Sequence, residues 1–235
     1  MQEIPPEFER YQRQIALENF GIKSQKKLQN SSIAIIGAGG VGSAALPLLA
    51  GSGIGKIKII DCDKVSLTNL HRQTIYSESE TDKPKTDAAK ERLSKLNSSI
   101  EIEAFNVKIS GADTLKEILK NTDICIDATD SFNTRFIVSD TCKSLQMPEI
   151  YASAQGYVSQ NILFCKNFYL REFLEEENSA QGKPQNLPIF PPAAHLSGIW
   201  AAATAIKYLA DIEDIKAGFF KSYNFSDDKF TRLEF

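Results

Sequence analysis

The stretch Ile33–Tyr76, IAIIGAGGVGSAALPLLAGSGIGKIKIIDCDKVSLTNLHRQTIY, reads differently at its two ends. It opens with Ile33, Ala34, Ile35 and Ile36, an apolar run of the kind found in a strand buried on both faces. Gly37, Gly39 and Gly42 then form G-x-G-x-x-G, with Gly40 as a further glycine in the same turn. Glycine is required there because the chain must bend sharply into a helix while its N–H groups approach a phosphate with no Cβ in the way. The following helix, about Val41 to Gly53, aims the positive end of its dipole at the same point. A second apolar strand, Ile57–Ile60, ends in Asp61, close to the offset of about 20 residues at which a carboxylate meets a ribose hydroxyl. Such glycines can also serve tight helix-on-strand packing alone, but here strand, turn, helix, strand and acid fall in the order a nucleotide site needs.

The closing end separates ATP from NAD. A hydride-transfer enzyme would run an ordinary crossover helix here, with apolar residues at helical spacing. This chain instead carries Asp61, Asp63, Val65, Asn69, Leu70, Arg72 and Gln73 as D-x-D-x-V-x-x-x-N-L-x-R-Q, with Lys85 following Pro84. Asn, Arg and Lys gathered near a helix N-terminus suit chemistry at a phosphate, where negative charge builds on oxygen as the leaving-group bond breaks.

With these residues in view, the chain resembles the ThiF/MoeB/HesA family, bacterial relatives of the adenylating domain of ubiquitin-activating enzymes, from Arg10 to Phe235. Four blocks carry the resemblance: RYQRQ at Arg10–Gln14, GAGGVG at Gly37–Gly42, DCDKVSLTNLHRQ at Asp61–Gln73 and DATDSFNTR at Asp127–Arg135. The resemblance implies ATP and Mg²⁺ as cofactors. Gly40 would lie against the phosphates beside Gly37, Gly39 and Gly42. Asp61, with Asp63 nearby, would hold the ribose hydroxyls, and Asn69, Arg72, Gln73 and Lys85 would grip the triphosphate. Asp130, next to Ser131, would approach Mg²⁺ and the α-phosphate. Arg13 would reach into the partner subunit as an arginine finger, which makes a homodimer part of the mechanism.

The reaction implied is ATP-dependent adenylation of the C-terminal glycine carboxylate of a small ubiquitin-like sulfur carrier, ThiS- or MoaD-like, with release of pyrophosphate. It would serve thiamine, molybdopterin or a related sulfur-containing cofactor, with a cysteine desulfurase or rhodanese-type protein as candidate sulfur donor. The attacking carboxylate is already ionised at neutral pH, so Arg13, Asn69, Arg72, Lys85 and Asp130 would act by holding and neutralising anions, with no triad. The same chemistry could serve another carboxylate, on a peptide or on the threonylcarbamoyl group of a tRNA. An NAD-binding protein and a non-catalytic family member stand as the non-adenylating alternatives.

Each candidate has a blander reading. Arg13 could be solvated on a charged arm, Lys85 exposed at a helix start, and Asp130 the N-cap of a helix beginning near Phe132. Asp127 reads as a strand end, Arg135 as half of a structural ion pair, His71 as exposed, and His195 as a loop contact rather than a general base.

The chain has 235 residues, enough to bury a full core as one domain. Its net charge of −3 lacks the basic footprint of a nucleic-acid partner. No apolar stretch approaches the roughly 20 residues of a membrane span, and MQEIPPEFER has no apolar signal-peptide core, so the cytoplasm is the expected compartment. Cys62, Cys125, Cys142 and Cys165 form no C-x-x-C pair. Family members often hold zinc with two such pairs; CKNFYLREF stands at the first location here, so no zinc is expected. Cys62 and Cys125 read as small apolar residues at buried strand ends, and Cys165 is the one candidate for sulfur chemistry.

The expected organisation is a single adenylation domain over 1–235, with a helical arm (1–30), a nucleotide-binding half (31–148) and a mixed-sheet half (149–235). Strands near 32–37, 56–60, 100–105 and 123–127 alternate with helices near 86–97, 112–120 and 132–146, the signature of a Rossmann-like, doubly wound, largely parallel α/β sheet. Strands at 150–152 and 157–164 extend it in mixed sense. Residues 167–192 read as a polar crossover loop that could guide the carrier's tail or be merely solvated. A helix from about Leu196, rich in small residues, suits close packing against a symmetric partner, and two last strands pair across SDDK as a hairpin.

Overall fold

The structure, a computed structural model, describes residues 5–174, 188–212 and 218–235. One eight-stranded sheet organises it, in the order β3-β2-β1-β4-β5-β6-β7-β8. The strands are β1 (Ser32–Ile36), β2 (Lys56–Asp61), β3 (Glu101–Asn106), β4 (Ile124–Asp127), β5 (Glu149–Gln155), β6 (Val158–Phe164), β7 (Phe219–Asn224) and β8 (Lys229–Glu234). β1 to β5 run parallel; β6, β7 and β8 are added antiparallel, the last two as the expected hairpin.

Side-chain alternation on the central strands explains why both faces are covered. Every residue of β1 is buried, with Ile33 and Ile35 entering one apolar core and Ala34 and Ile36 the other. The first core lies under α3 (Gly40–Gly51), α4 (Lys85–Leu96) and α8 (Pro191–Ala210). The second lies under α5 (Ala112–Ile118), α6 (Phe132–Ser144) and the short α7 (Leu170–Leu174). Strand order turns back between β1 and β4, which leaves a crevice beyond their carboxyl ends, the place where open α/β sheets bind ligands.

The N-terminal arm is a 3₁₀ turn, Pro6–Tyr11, running into α1 (Gln12–Ile15), followed by α2 (Gly21–Gln29). Phe8, Tyr11 and Ile15 form a small core of their own. The arm grips the C-terminal ends of α3 and α4: Gln14 Nε2 and Gln25 Nε2 each donate to Ser52 O at 3.1 Å, and Arg10 Nη1 donates to Leu96 O at 3.0 Å.

Three expectations change. The crossover 167–192 is not one loop: Leu170–Leu174 is helical, with Tyr169 and Leu170 both 1% exposed, because its aromatic and aliphatic side chains complete the second core. The EFLEEE stretch from Glu175 on lies outside the described residues, while Gly156 exchanges backbone bonds with Pro188 and Phe190. α8 starts at Pro191, not Leu196, since proline's fixed φ and missing N–H suit a first helical turn. Its small residues face inward: a Cβ on Gly198 would stand 2.3 Å from Val41 O, so the narrow face serves contact with α3 of the same chain.

Candidate active site

The glycine-rich turn is held by its neighbours before any ligand arrives. Gly37 has φ +96°, and a Cβ there would fall 2.6 Å from Ala128 O, so the loop after β4 crosses directly over it. A Cβ on Gly42 would meet Gly37 O at 2.1 Å; only glycine lets α3 start so close to the strand end. Ala38 is fixed from two sides: its N–H donates to Asp61 Oδ2 at 2.7 Å, and its carbonyl accepts from Tyr76 Oη at 2.9 Å. Asp61 Oδ1 accepts from Asp63 N at 2.7 Å. Burial raises the Asp61 pKa, against the opposing pull of Lys85 and of the Asp63 and Ala38 N–H groups.

The polar segment after β2 folds back onto this turn. Its Leu67–Asn69 stretch is a 3₁₀ turn, and Arg72 Nη2 donates to Asn69 Oδ1 at 3.1 Å, so the Asn and Arg three apart do meet. Arg72 Nη1 lies 2.8 Å from Nε2 of the exposed His71; a guanidinium only donates, so that nitrogen accepts. The Arg72 carbonyl accepts from Ser43 Oγ at 3.3 Å and from His195 Nε2 at 3.0 Å. His195 is therefore a helical residue of α8 bracing the Arg72 backbone. Its donating role puts the proton on Nε2, which suits support rather than general-base work.

Two side chains in this corner lack what a purely structural site would supply. Gln73 is 3% exposed, its Oε1 has no hydrogen-bond partner among the described residues, and its Nε2 would lie 3.6 Å from a Cβ on Gly39. An unpaired buried acceptor beside a glycine cradle fits a ligand group that donates a hydrogen bond there. Lys85 opens α4 with its side chain only 4% exposed, Nζ reaching Asp63 Oδ2 at 2.9 Å while Asp63 itself is 65% exposed. The exposed reading of Lys85 is thus overturned: the fold spends a nearly buried ammonium next to the nucleotide turn, partnered by an acid that solvent can reach.

DATDSFNTR supplies the opposite wall. Asp130 and Ser131 are exposed, on the loop passing over Gly37. Ser131, not Asp130, occupies the N-cap of α6, and its side chain makes no capping bond, so Asp130 is not committed to the helix. Asp127 ends β4 fully buried and pairs with Arg135 at 3.5 Å, as the ion-pair reading expected. The exposed Asp130 carboxylate, not the engaged Asp127, offers the free oxygen donors that a hard cation such as Mg²⁺ prefers.

Arg13 is exposed at the far end of the molecule. It precedes Gln14, bonded at the C-terminal end of α3, whereas the glycine turn is at the N-terminal end; twelve residues of helix, about 18 Å, lie between. No arginine side chain spans that distance, so Arg13 does not join the site of its own chain.

All four cysteines are free thiols. Cys62 corrects the expectation: the residue after β2 points out and is exposed, because the strand has already ended. Desolvation, then the charges of Asp63 and Asp61, raise its pKa, and burial raises that of Cys165. Neither thiol is held as a ready thiolate. Among the described residues, the group of metal-capable side chains close together is Asp61, Cys62 and Asp63. No described helix is long and apolar enough to cross a membrane.

The ThiF family profile matches residues 11–235. The chain belongs to the ThiF family. The sulfur carrier protein ThiS adenylyltransferase of Escherichia coli K12 is 32% identical over 210 residues, covering 88% of this ThiF chain and 83% of its own. A "probable molybdopterin-synthase adenylyltransferase" of Porphyra purpurea is 32% identical over 225 residues, covering 93% of this chain. This chain spans only 58% of that relative's length. Among solved structures, E. coli MccB with ATP superposes with a TM-score of 0.81 at 26% identity, over 98% of this chain and 73% of its own. The sheet order and antiparallel extension agree with the family architecture expected from the sequence.

Proposed function

We propose that this chain is an ATP-dependent adenylyltransferase acting on the C-terminal carboxylate of a small ubiquitin-fold sulfur carrier, with residues 1–235 as one adenylation domain. The carrying observation is the nearly buried Lys85, the Arg72–Asn69 pair and the orphaned Gln73 amide around one glycine turn, with Asp130 above it. Hydride transfer has no use for the paired cations Arg72 and Lys85 beside the glycine turn, and the curated relatives carry adenylyltransferase names.

ATP enters with its phosphates on the N-terminal end of α3, against Gly37, Gly39, Gly40 and Gly42, and its ribose toward Asp61. A carrier carboxylate oxygen then bonds to the α-phosphorus while the bond from that phosphorus to the bridging oxygen breaks, leaving acyl-adenylate and pyrophosphate. Asn69, Arg72 and Lys85 hold the phosphate oxygens and take up the charge on the departing pyrophosphate. Mg²⁺, held through Asp130 beside Ser131, would neutralise phosphate oxygens. Arg13 completes the site across a homodimer, a reading supported by its distance from the glycine turn of its own chain.

Pyrophosphate exchange into ATP, measured with and without each carrier of the source organism, tests this. Exchange that requires one carrier is expected; Arg72→Ala should reduce it by about a hundredfold or more while leaving the circular dichroism spectrum unchanged. Exchange supported only by a peptide carboxylate or a threonylcarbamoyl tRNA would move the substrate to those classes, and none with any acceptor would refute adenylation.

A further inference from the structure

Beneath the loop that carries Asp130 lies a buried clamp. Arg135, on the first turn of α6, is 4% exposed. Its guanidinium pairs with Asp127 Oδ2 at 3.5 Å, donates to Thr129 O, donates to Ala152 O on β5 at 3.2 Å, and lies 4.3 Å over the Tyr151 ring. Asp127 Oδ1 accepts from Thr129 N at 2.9 Å and from Thr129 Oγ1 at 2.7 Å. Thr129 is therefore held through its N–H, its hydroxyl and its carbonyl by two residues that are themselves an ion pair, and Asp130 is the next residue.

Burying an arginine and an aspartate for stability alone is a poor use of them. Desolvation offsets most of the attraction, and apolar replacements of equal volume are often as stable. What such a pair can supply is a fixed geometry, here for the loop whose Ala128 carbonyl already limits Gly37. A planar, five-donor guanidinium bonds a carboxylate and two carbonyls on different elements in one fixed fork, whereas a lysine ammonium is a point donor on a flexible stem.

We propose that Arg135 is a positioning residue for the adenylation site, setting the height of Asp130 over the nucleotide phosphates through Thr129 and Asp127. The inference rests on the adenylation reading for its chemistry but not for its geometry. Groups that orient a metal-facing carboxylate typically matter by about 10–100-fold in metal affinity or rate.

The experiment is a double-mutant cycle of Arg135→Lys and Asp130→Asn, read first by calorimetric ATP binding with and without Mg²⁺ and then by pyrophosphate exchange. Arg135→Lys should leave metal-free ATP binding within about twofold, remove about tenfold or more of the tightening by Mg²⁺, and raise the KM for Mg-ATP in step with that loss. In the Asp130→Asn background it should have no further effect on any of these. Additive losses, or a fall in metal-free ATP binding that tracks the melting temperature, would make Arg135 a purely structural residue and overturn the proposal. Should Arg135→Lys not fold, Thr129→Val removes only the hydroxyl bond to Asp127 and should show the same dependence on Asp130; independence from Asp130 there is equally fatal. Wild-type protein that binds Mg-ATP but exchanges no pyrophosphate would refute the adenylation reading and leave the binding cycle to decide the clamp.

Discussion

If the arginine finger acts across a dimer, two inactive variants should repair one another. Arg13→Ala keeps an intact Asp130 loop, and Asp130→Ala keeps an intact Arg13. The length of α3, about 18 Å, separates the arm from the glycine turn of its own chain, so a site that uses Arg13 would draw it from the neighbour. A heterodimer of the two variants then has one complete site and one doubly defective site. Random reassociation makes about half of the dimers mixed, each with one of its two sites working, so the mixture should reach about a quarter of wild-type activity. Each parent should be down about a hundredfold or more, the order found when a charge-stabilising group is removed, so the rescue stands well above background. Differently tagged subunits, co-expressed and purified through both tags, contain only the mixed dimer and should reach about half of the wild-type rate. Activity in the doubly purified sample no higher than that of the parents would refute a shared site, and near-normal exchange by Arg13→Ala alone would refute the finger.

Two further outcomes concern stability. Glu149 is fully buried with neither carboxylate oxygen hydrogen-bonded among the described residues, and burial, then the charge of Asp127, holds its pKa well above the usual carboxylate range despite the opposing pull of Ser139 and Arg135. The folded state therefore binds a proton that the unfolded state releases, and Glu149 makes stability fall as pH rises from the ordinary carboxylate pKa toward the raised one. Glu149→Gln, a neutral isostere, should match wild type in urea denaturation at pH 4 and be more stable at pH 8; a variant less stable at both would show that the ionised form is native. Gly198→Ala should force α8 off α3, because the added methyl meets the Val41 carbonyl at 2.3 Å and the Ala44 Cβ at 2.9 Å. Overpacking of this kind costs about 1–3 kcal/mol, roughly 2–4 °C of Tm per kcal/mol in a chain of this size, and scanning calorimetry with unchanged Tm would contradict the close approach.

Local pattern and tertiary position contributed different parts of this picture. The alternation of short apolar runs with helical segments determined the parallel half of the sheet, because a strand covered on both faces must be apolar throughout, as Ser32–Ile36 nearly is. The spacing of Gly37, Gly39 and Gly42 and the polarity of Asp61–Gln73 determined the glycine turn and the polar segment beside it, since both depend on neighbours in sequence. Solvent exposure was not legible in the same way. Lys85 reads as a surface lysine and is nearly buried; Cys62 reads as a strand-end apolar residue and is exposed; the difference is made by which distant segment packs against each. The small residues of α8 announce close packing, yet only the folded chain shows α3 as the surface they meet. Which end of the molecule Arg13 occupies, and that Arg135 and Asp127 together hold Thr129, follow from contacts between residues far apart in the chain, and no local rule of propensity or periodicity encodes those distances.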